Sequence, residues 1–143
     1  MAGKDVVNDL DPEARTAVAG RVQDILDAVN AQDVDRLEAH HLWGPKFSKF
    51  DDGEPYERQD AETTRQLERE LVTAAKAISF RAEDLKVDVF GEVAVATFVL
   101  DWAATMPDDQ EYAARSRGTL VFVSDGGEWK IVHEHFSAFP SAA

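Results

Sequence analysis

Two histidines lie two residues apart near the end of the chain, at His133 and His135. Imidazole titrates near neutral pH, so a histidine in a pocket can act as a general acid or base. Alternate residues of a β-strand point to the same side of the sheet. We therefore expect both rings on one face of a terminal strand, and we predict His133 and His135 as catalytic residues.

The segment before these histidines is predicted to pair with them in a hairpin. Ser124-Asp125-Gly126-Gly127 is a strong turn signal, and we expect a three-residue loop over 125–127. Arg117 beside an imidazole would lower the imidazole pKa, and it could also hold an anion or an enolate. The predicted pairs, which together form a ligand-binding face, are Thr119 with His133, Arg117 with His135 and Arg115 with Ser137.

Asp101 lies in the most apolar predicted strand, which runs from Val93 to Trp102. A buried carboxylate there would have a raised pKa, as a general base or acid requires; the alternative is a solvated carboxylate at a frayed strand end. Aromatic side chains could close a pocket over a flat ligand, or they could belong to the core. The aromatic residues predicted to contact a ligand are Trp43, Phe47 and Trp102.

The histidine face allows two other interpretations. The polar side chains could form a hydrogen-bonded ladder that fixes the sheet, or a metal could bind to His133 and His135 with His40 or His41 as a third ligand. The chain contains no cysteine and no glycine-rich phosphate loop, and the favoured interpretation includes neither a metal nor a cofactor. The acidic pairs Asp51-Asp52 and Asp108-Asp109 are expected to be solvated loop residues.

Three helices are predicted ahead of four long strands. Asp11-Pro12-Glu13 is a typical helix start, and Asp33 and Asp60 are expected to cap a second and a third helix. The apolar stripe of the third helix is expected to reach Ile78. Beyond it the apolar period changes to two, which predicts an α+β domain with an antiparallel sheet over residues 11–140, after a flexible N-terminus at 1–10.

The order of these elements and the ending Asp125–Ser137 resemble the nuclear-transport-factor-2-like superfamily, in its SnoaL-like and ketosteroid-isomerase-like branch. The ending carries a Trp, then His-x-His, then Ser. The resemblance implies a cone-shaped, cystatin-like α+β barrel, in which three N-terminal helices pack in the concave face of a strongly bent antiparallel sheet.

The resemblance also implies a pocket for a small molecule, although this fold hosts both enzymes and non-catalytic proteins. We expect acid–base catalysis of the isomerase, dehydratase or cyclase type on a small, partly apolar carbonyl compound. The alternative is a non-catalytic ligand-binding or dimerisation module. The first predicted helix has no tyrosine, in contrast to the oxyanion hole of ketosteroid isomerases.

Composition restricts the partners. The 143 residues include 28 acidic and 15 basic side chains, a formal net charge of −13, which argues against binding of nucleic acid or of an anionic membrane surface. No apolar run is long enough to span a membrane, and we expect a cytoplasmic protein. The residues assigned to the outer sheet face predict a sheet-to-sheet homodimer; they are Leu120, Phe122, Val132 and Phe136.

Overall fold

The helices begin at the predicted caps. The computed structural model describes residues 5–140. The side chains of Asp11, Asp33 and Asp60 each accept a hydrogen bond from a backbone N–H of the following turn, which satisfies donors that a helix N-terminus leaves free. The helices are α1 (Pro12–Asn30), α2 (Val34–Ala39) and α3 (Ala61–Ala74).

Five strands form one sheet in the order β1-β5-β4-β3-β2. The four long strands pair antiparallel, as predicted, and β1 pairs parallel with the edge of β5. The sheet curls around the helices without closing. Ile78 belongs to β2 and not to α3. The strands are β1 (Ser48–Phe50), β2 (Ala77–Phe90), β3 (Val93–Thr105), β4 (Glu111–Asp125) and β5 (Glu128–Ala138).

The predicted register between β4 and β5 is wrong by two residues. The turn has two residues, Gly126 and Gly127, with φ of 58° and 88°, values that favour glycine in tight hairpins. A β-bulge at Val132 then shifts the pairing by one more residue. As a result Arg117 pairs with Ser137 and Thr119 pairs with His135; the pairings expected for His133 and Arg115 are wrong for the same reason.

The bulge at Val132 also changes which residues of β5 face inward. A bulge inserts an extra residue, so the alternation of side chains is out of phase on its two sides. Ile131 before the bulge and Glu134 after it are both buried. Regular alternation would have placed Ile131 on the same face as His133 and His135, which the structure places on the convex face.

The core lies between α1 and the concave face of the sheet. Burial of apolar side chains is the main stabilising contribution there. The buried apolar residues include Val18, Val22, Ile25 and Val29 of α1 and Val87, Ala96, Phe98, Leu100, Leu120, Phe122 and Ile131 of the sheet.

The predicted dimer face is therefore corrected. Leu120 and Phe122 are buried in the core, and Phe136 packs against the same core. Val132, the fourth residue assigned to that face, is the half-buried bulge residue. The helices cover the face that the sequence analysis assigned to the outside.

The structure describes the two ends of the chain only in part. Residues 1–4 of the predicted flexible N-terminus, and residues 141–143, lie outside the described residues. Residues 5–10 are exposed ahead of α1. Within residues 5–140, no helix has the length and apolar character needed to cross a membrane.

Gly118 of β4 lies where two aromatic rings meet. The rings of Phe98 and Phe136 pack edge to face, with centroids 6.3 Å apart, and a Cβ on Gly118 would lie 2.9 Å from an atom of each ring. We expect Gly118→Ala to lower the free energy of unfolding by about 1–3 kcal/mol through overpacking, measured by urea denaturation. The control is Gly20→Ala on the exposed side of α1, where a Cβ would have no atom within 4 Å.

Because alanine favours helix more than glycine, Gly20→Ala should raise stability by up to about 1 kcal/mol. A Gly118→Ala protein as stable as the wild type would show that the rings can separate at no cost.

Candidate functional site

A cavity of about 290 Å³ lies between the helices and the concave face of the sheet. Its walls are apolar and partly aromatic, which is typical of sites for small organic molecules. The lining includes Val22, Ile25, Leu26 and Val29 of α1, Leu71 and Val72 of α3, and Phe80, Phe98, Leu100, Trp102, Leu120 and Phe136 of the sheet.

One side of the cavity is strongly polar. The ammonium nitrogen of Lys49 lies 3.5 Å from Glu68 Oε1, 3.6 Å from Glu134 Oε2 and 3.6 Å from Asp51 Oδ2. Only 10% of the Lys49 side chain is exposed, against 14% for Glu68 and 6% for Glu134. We call Lys49, Asp51, Glu68 and Glu134 the charged cluster.

Three different elements supply the charged cluster. Lys49 lies on β1, with Asp51 two residues further along the chain, and Glu134 lies on β5 just beyond the bulge. On α3, Glu68 follows the fully buried Thr64 by four residues and precedes the buried Val72 by four. Residues at this spacing share one helix face, so the side of α3 that packs inward carries the carboxylate.

His41 lies behind the charged cluster, with a fully buried side chain. Its Nε2 is 3.2 Å from Glu134 Oε1 and 3.6 Å from Glu68 Oε2. Its Nδ1 donates a hydrogen bond to the carbonyl oxygen of Leu37, 2.9 Å away. The ring stacks on Trp43 at 4.4 Å between centroids, so the imidazole is held in one orientation toward the two carboxylates.

Burial and mutual charge separate the protonation behaviour of the two glutamates. Burial, together with the negative charge of Glu134, raises the pKa of Glu68 to about 7. Burial acts in the same direction on Glu134, but Lys49 and His41 outweigh it and hold the pKa of Glu134 well below its usual range. A proton on Glu68 can be shared with Glu134 through a side-chain hydrogen bond.

The cations of the site stay charged. Burial alone would lower the pKa of His41, but the charges of Glu68 and Glu134 raise it to about 9. Burial likewise opposes the charge on Lys49, and the surrounding carboxylates raise the pKa of Lys49 above its usual range. Glu68, with a pKa of about 7, can therefore exchange a proton at neutral pH.

The acidic pair Asp51-Asp52 lines the cavity and is not a solvated loop pair as expected. Both residues are half-buried. The hydroxyl of Ser116 donates a hydrogen bond to Asp52 Oδ2. Burial raises the pKa of Asp51, although the charge of Lys49 opposes the shift.

The same cluster contains a set of groups that metals bind. His41, Glu68 and Glu134 each offer a ligand atom, and these atoms lie within 4.8 Å of one another. Imidazole with carboxylates is a ligand set for divalent transition metals. Lys49 already supplies a positive charge to both carboxylates at 3.5 and 3.6 Å, and a divalent cation would have to bind beside that ammonium group.

Three of the residues predicted to bind a ligand lie in or near the cavity. Trp102 lines it. Phe47 is buried against Trp43, with ring centroids 4.9 Å apart, and Trp43 covers His41. Trp43 and Phe47 therefore belong to the packing behind the charged cluster.

The other predicted site residues lie on the convex face of the sheet. His133 Nδ1 lies 2.9 Å from Ser48 Oγ, and His135 packs on Phe50 at 5.5 Å between centroids. Asp101 pairs with Arg81 at 3.0 Å. The structure keeps these residues away from the cavity, and their catalytic roles stay predictions.

The predicted ligand-binding residues of β4 and β5 share this convex face. Arg115 pairs with Glu83 at 3.1 Å, and Arg117 donates to the carbonyl oxygen of Ala138 at 3.1 Å. Thr119 and Ser137 are half-buried on the same side. The adjacent pair His40-His41 was considered as a source of a third metal ligand beside His133 and His135. His41 faces the charged cluster, whereas His133 and His135 lie on the convex face, so the structure does not bring His41 together with them.

The sequence analysis did not select Lys49, Glu68, Glu134 or His41 as catalytic residues. A usable signal existed for Glu68, because it lies between Thr64 and Val72 on a helical face that otherwise avoids charge. Lys49 lies two residues from Phe47, so alternation along the predicted strand puts these two side chains on one face and Phe50 on the other. Nothing in the sequence marks Glu134, since only the bulge turns it inward.

The chain is similar to a known family of protein domains. A family model described as a SnoaL-like domain matches residues 18–142. No curated protein matches the chain significantly.

Solved structures share the fold at low identity. A candidate dehydratase of the nuclear-transport-factor-2-like family from Streptomyces avermitilis superposes with a TM-score of 0.80 and 15% identity, covering 91% of this chain and 99% of that one. A candidate scytalone dehydratase from Novosphingobium aromaticivorans superposes with a TM-score of 0.78 and 11% identity, covering 96% of this chain and 95% of that one. The association domain of calcium/calmodulin-dependent protein kinase II from C. elegans superposes with a TM-score of 0.70 and 17% identity, covering 92% of this chain and 100% of that one.

The charged cluster predicts how stability depends on pH. The pKa of Glu68 is about 7 in the folded protein, above its ordinary 4.5, and that of His41 is about 9, above 6.5. The folded state therefore binds these protons more tightly than the unfolded state, and the free energy of unfolding should fall as pH rises from about 5 to about 9.

Urea denaturation across this range is the measurement. Glu68→Gln should remove a fall on the order of 2 kcal/mol between about pH 5 and pH 7. Glu70→Gln, an exposed change on the same helix, should leave the profile unaltered. Stability that rises with pH in the wild-type protein would contradict this assignment.

Proposed function

This chain belongs to the SnoaL-like domain family, and from that premise we propose that its cavity binds a small, largely apolar carbonyl compound and moves a proton on it. Glu68 is the acid–base group and Lys49 is the donor to the carbonyl oxygen. The observation that carries the proposal is the position of Glu68 beside Lys49, 3.5 Å apart, at the one polar side of an apolar cavity.

The arrangement suits proton abstraction next to a carbonyl. A general base works best when its pKa lies near the working pH, and the pKa of Glu68 is about 7. The ionised carboxylate takes the α-proton, and the electron pair of the broken C–H bond forms an enolate. The ammonium group of Lys49 donates a hydrogen bond to the enolate oxygen, where the negative charge develops.

Two outcomes follow from the enolate without a further reagent. In a β,γ-unsaturated carbonyl compound the enolate is conjugated with the double bond, and return of the proton from Glu68 to the γ-carbon gives the α,β-unsaturated isomer. Alternatively, a hydroxyl group on the β-carbon leaves with the proton of Glu68, which releases water and restores the carboxylate. His41 and Glu134 take no proton in either route; they hold the charges that set the pKa of Glu68.

The similar structures are in accord with this chemistry. Two of them are named as candidate dehydratases. At 15% and 11% identity, their likeness to this chain is evidence for a shared fold and not for a shared activity. The association domain favours the non-catalytic alternative, in which the cavity only holds a ligand. That alternative is one of the outcomes of the test below.

Exchange of α-protons tests the chemistry without knowledge of the natural substrate. We expect the protein to speed the exchange of the α-protons of β-tetralone in deuterium oxide, followed by proton NMR near pH 7. Glu68→Gln should reduce the enzymatic rate by about 10²–10⁴-fold, since it removes the base. Glu70→Gln is the matched control and should retain the rate.

An exchange rate equal to that of buffer would contradict catalysis. If β-tetralone then still quenched the tryptophan fluorescence, and a Trp102→Phe protein lost that quenching, the cavity, which Trp102 lines, would be a binding site without acid–base chemistry. Full activity of a folded Glu68→Gln protein would assign the base to another group.

The convex face of the sheet supports a second proposal, self-association. Val95 pairs with Val121 across β3 and β4, and both side chains are half-buried within the single chain. Apolar side chains in the middle of an open sheet face favour a partner surface. The association domain of C. elegans has the same fold, and its name describes a protein that assembles. A second copy of this chain, sheet against sheet, is the proposed partner.

Light scattering after size exclusion tests this face. We expect a dimer for the wild-type protein and a monomer for Val121→Asp, because a carboxylate at the centre of an apolar contact would be desolvated. Thr16→Asp, an exposed change on α1, should leave the dimer intact. A wild-type monomer would overturn the proposal.

A further inference from the structure

The charges around the cavity are unequal. The charged residues among its lining are Lys49 and four acids, namely Asp51, Asp52, Glu68 and Glu134. His41, behind them, adds one more positive charge. No arginine lines the described cavity; the arginines expected to hold an anion lie on the convex face.

Lys49 is poorly placed to bind a ligand that brings its own negative charge. The enolate of the proposed reaction differs, because its charge replaces the charge that Glu68 loses when it takes the proton. The ammonium group of Lys49 already lies between Glu68, Glu134 and Asp51 at 3.5–3.6 Å. It also lies over the ring of Phe136, 5.4 Å from the centroid. A carboxylate ligand at Lys49 would face these three acids at short range, and like charges in a poorly solvated site repel strongly.

The acceptors of the site are in excess over its donors. Among the described residues, Oε2 of Glu68 and Oε2 of Glu134 are buried and accept no hydrogen bond, although each faces a cation at 3.6 Å, His41 Nε2 for Glu68 and Lys49 Nζ for Glu134. The Glu134 side chain is 6% exposed and lines the cavity. A buried carboxylate oxygen without a donor is costly, and a proton shared with Glu68 or a donor on a ligand can satisfy it.

We infer that the cavity selects apolar molecules whose polar end is a protonated amine, and rejects carboxylates of the same shape. The inference rests on the proposed function only in placing the ligand in the same cavity. The ammonium N–H groups donate to the carboxylates of Glu68 and Glu134 where these side chains line the cavity, and the apolar body packs on Phe80, Phe98 and Trp102. Aromatic faces also attract cations.

Binding of an ammonium group is coupled to proton release. A cation beside Glu68 takes over the hydrogen bonds of the shared proton and favours the ionised carboxylate. The neutral alcohol of the same shape has no charge with which to expel that proton. Proton release therefore distinguishes an amine held by the charged cluster from an amine held only by the apolar walls.

Calorimetric titration of the wild-type protein near pH 7 tests the inference with three matched probes. They are phenethylamine, phenethyl alcohol and phenylacetate. We expect the amine to bind at least about tenfold more tightly than phenylacetate. Titrations in two buffers with different heats of ionisation should show proton release for the amine and none for the alcohol.

A variant pair locates the effect. Glu68→Gln should abolish the proton release, because the group that loses its proton is gone, and Glu70→Gln should leave it unchanged. Equal affinity for amine and phenylacetate, failure of the amine to bind, or amine binding without proton release would each overturn the inference.

Failure here is distinguishable from failure of the proposed function. Exchange of the α-protons of β-tetralone is measured on the same preparation with a neutral probe. Exchange without amine binding would overturn the charge selectivity alone. Amine binding with proton release but without exchange would overturn the acid–base chemistry alone.

Discussion

The ammonium group of Lys49 is the constraint on which the rest of the site depends. Among residues 5–140 it is the one positive charge that lies within 4 Å of Glu68, Glu134 and Asp51 together. Removing one partner of a buried ion pair leaves the others without compensation, at a cost of several kcal/mol. Lys49 lies on β1, a three-residue edge strand that pairs parallel with β5. Through Lys49, this short strand contacts Asp51 in the following loop, Glu68 on α3 and Glu134 on β5.

The charged cluster also explains why two neighbouring glutamates behave differently. Both glutamates face Lys49 and His41, but of the two only Glu134 makes a hydrogen bond to His41, at 3.2 Å. Glu134 stays ionised, while Glu68, in the same poorly solvated site, takes the proton. Burial disfavours a second negative charge more strongly than the available cations can offset. A chemically ordinary carboxyl group thus exchanges its proton near neutral pH because of where the fold places it.

The two faces of the sheet carry different properties. The concave face holds the core, the cavity and the charged cluster. The convex face holds Asp101, His133, His135 and a network that includes Arg81, Glu83 and Arg115. Its histidines contact Ser48 and Phe50 of β1, which accords with the polar ladder considered from the sequence.

Local sequence determined the elements of this protein. The three aspartate caps, the change of apolar period after α3 and the glycine turn at Gly126 and Gly127 could all be recognised, because each depends on residues close in the chain. The family resemblance added the curved α+β fold, the helices on its concave face and the existence of a pocket, and the structure and the family match confirm that fold.

Only the tertiary structure decided which residues face the cavity. The bulge at Val132 reverses the alternation of side chains along β5. Nothing about Val132 as a residue type predicts a bulge at this position. That reversal turns Glu134 inward and His133 outward. Lys49, Glu68 and His41 meet it from β1, α3 and the end of α2, over separations of 66 to 93 residues. Charges that far apart in the chain interact only when the packing of the sheet and the helices brings them together.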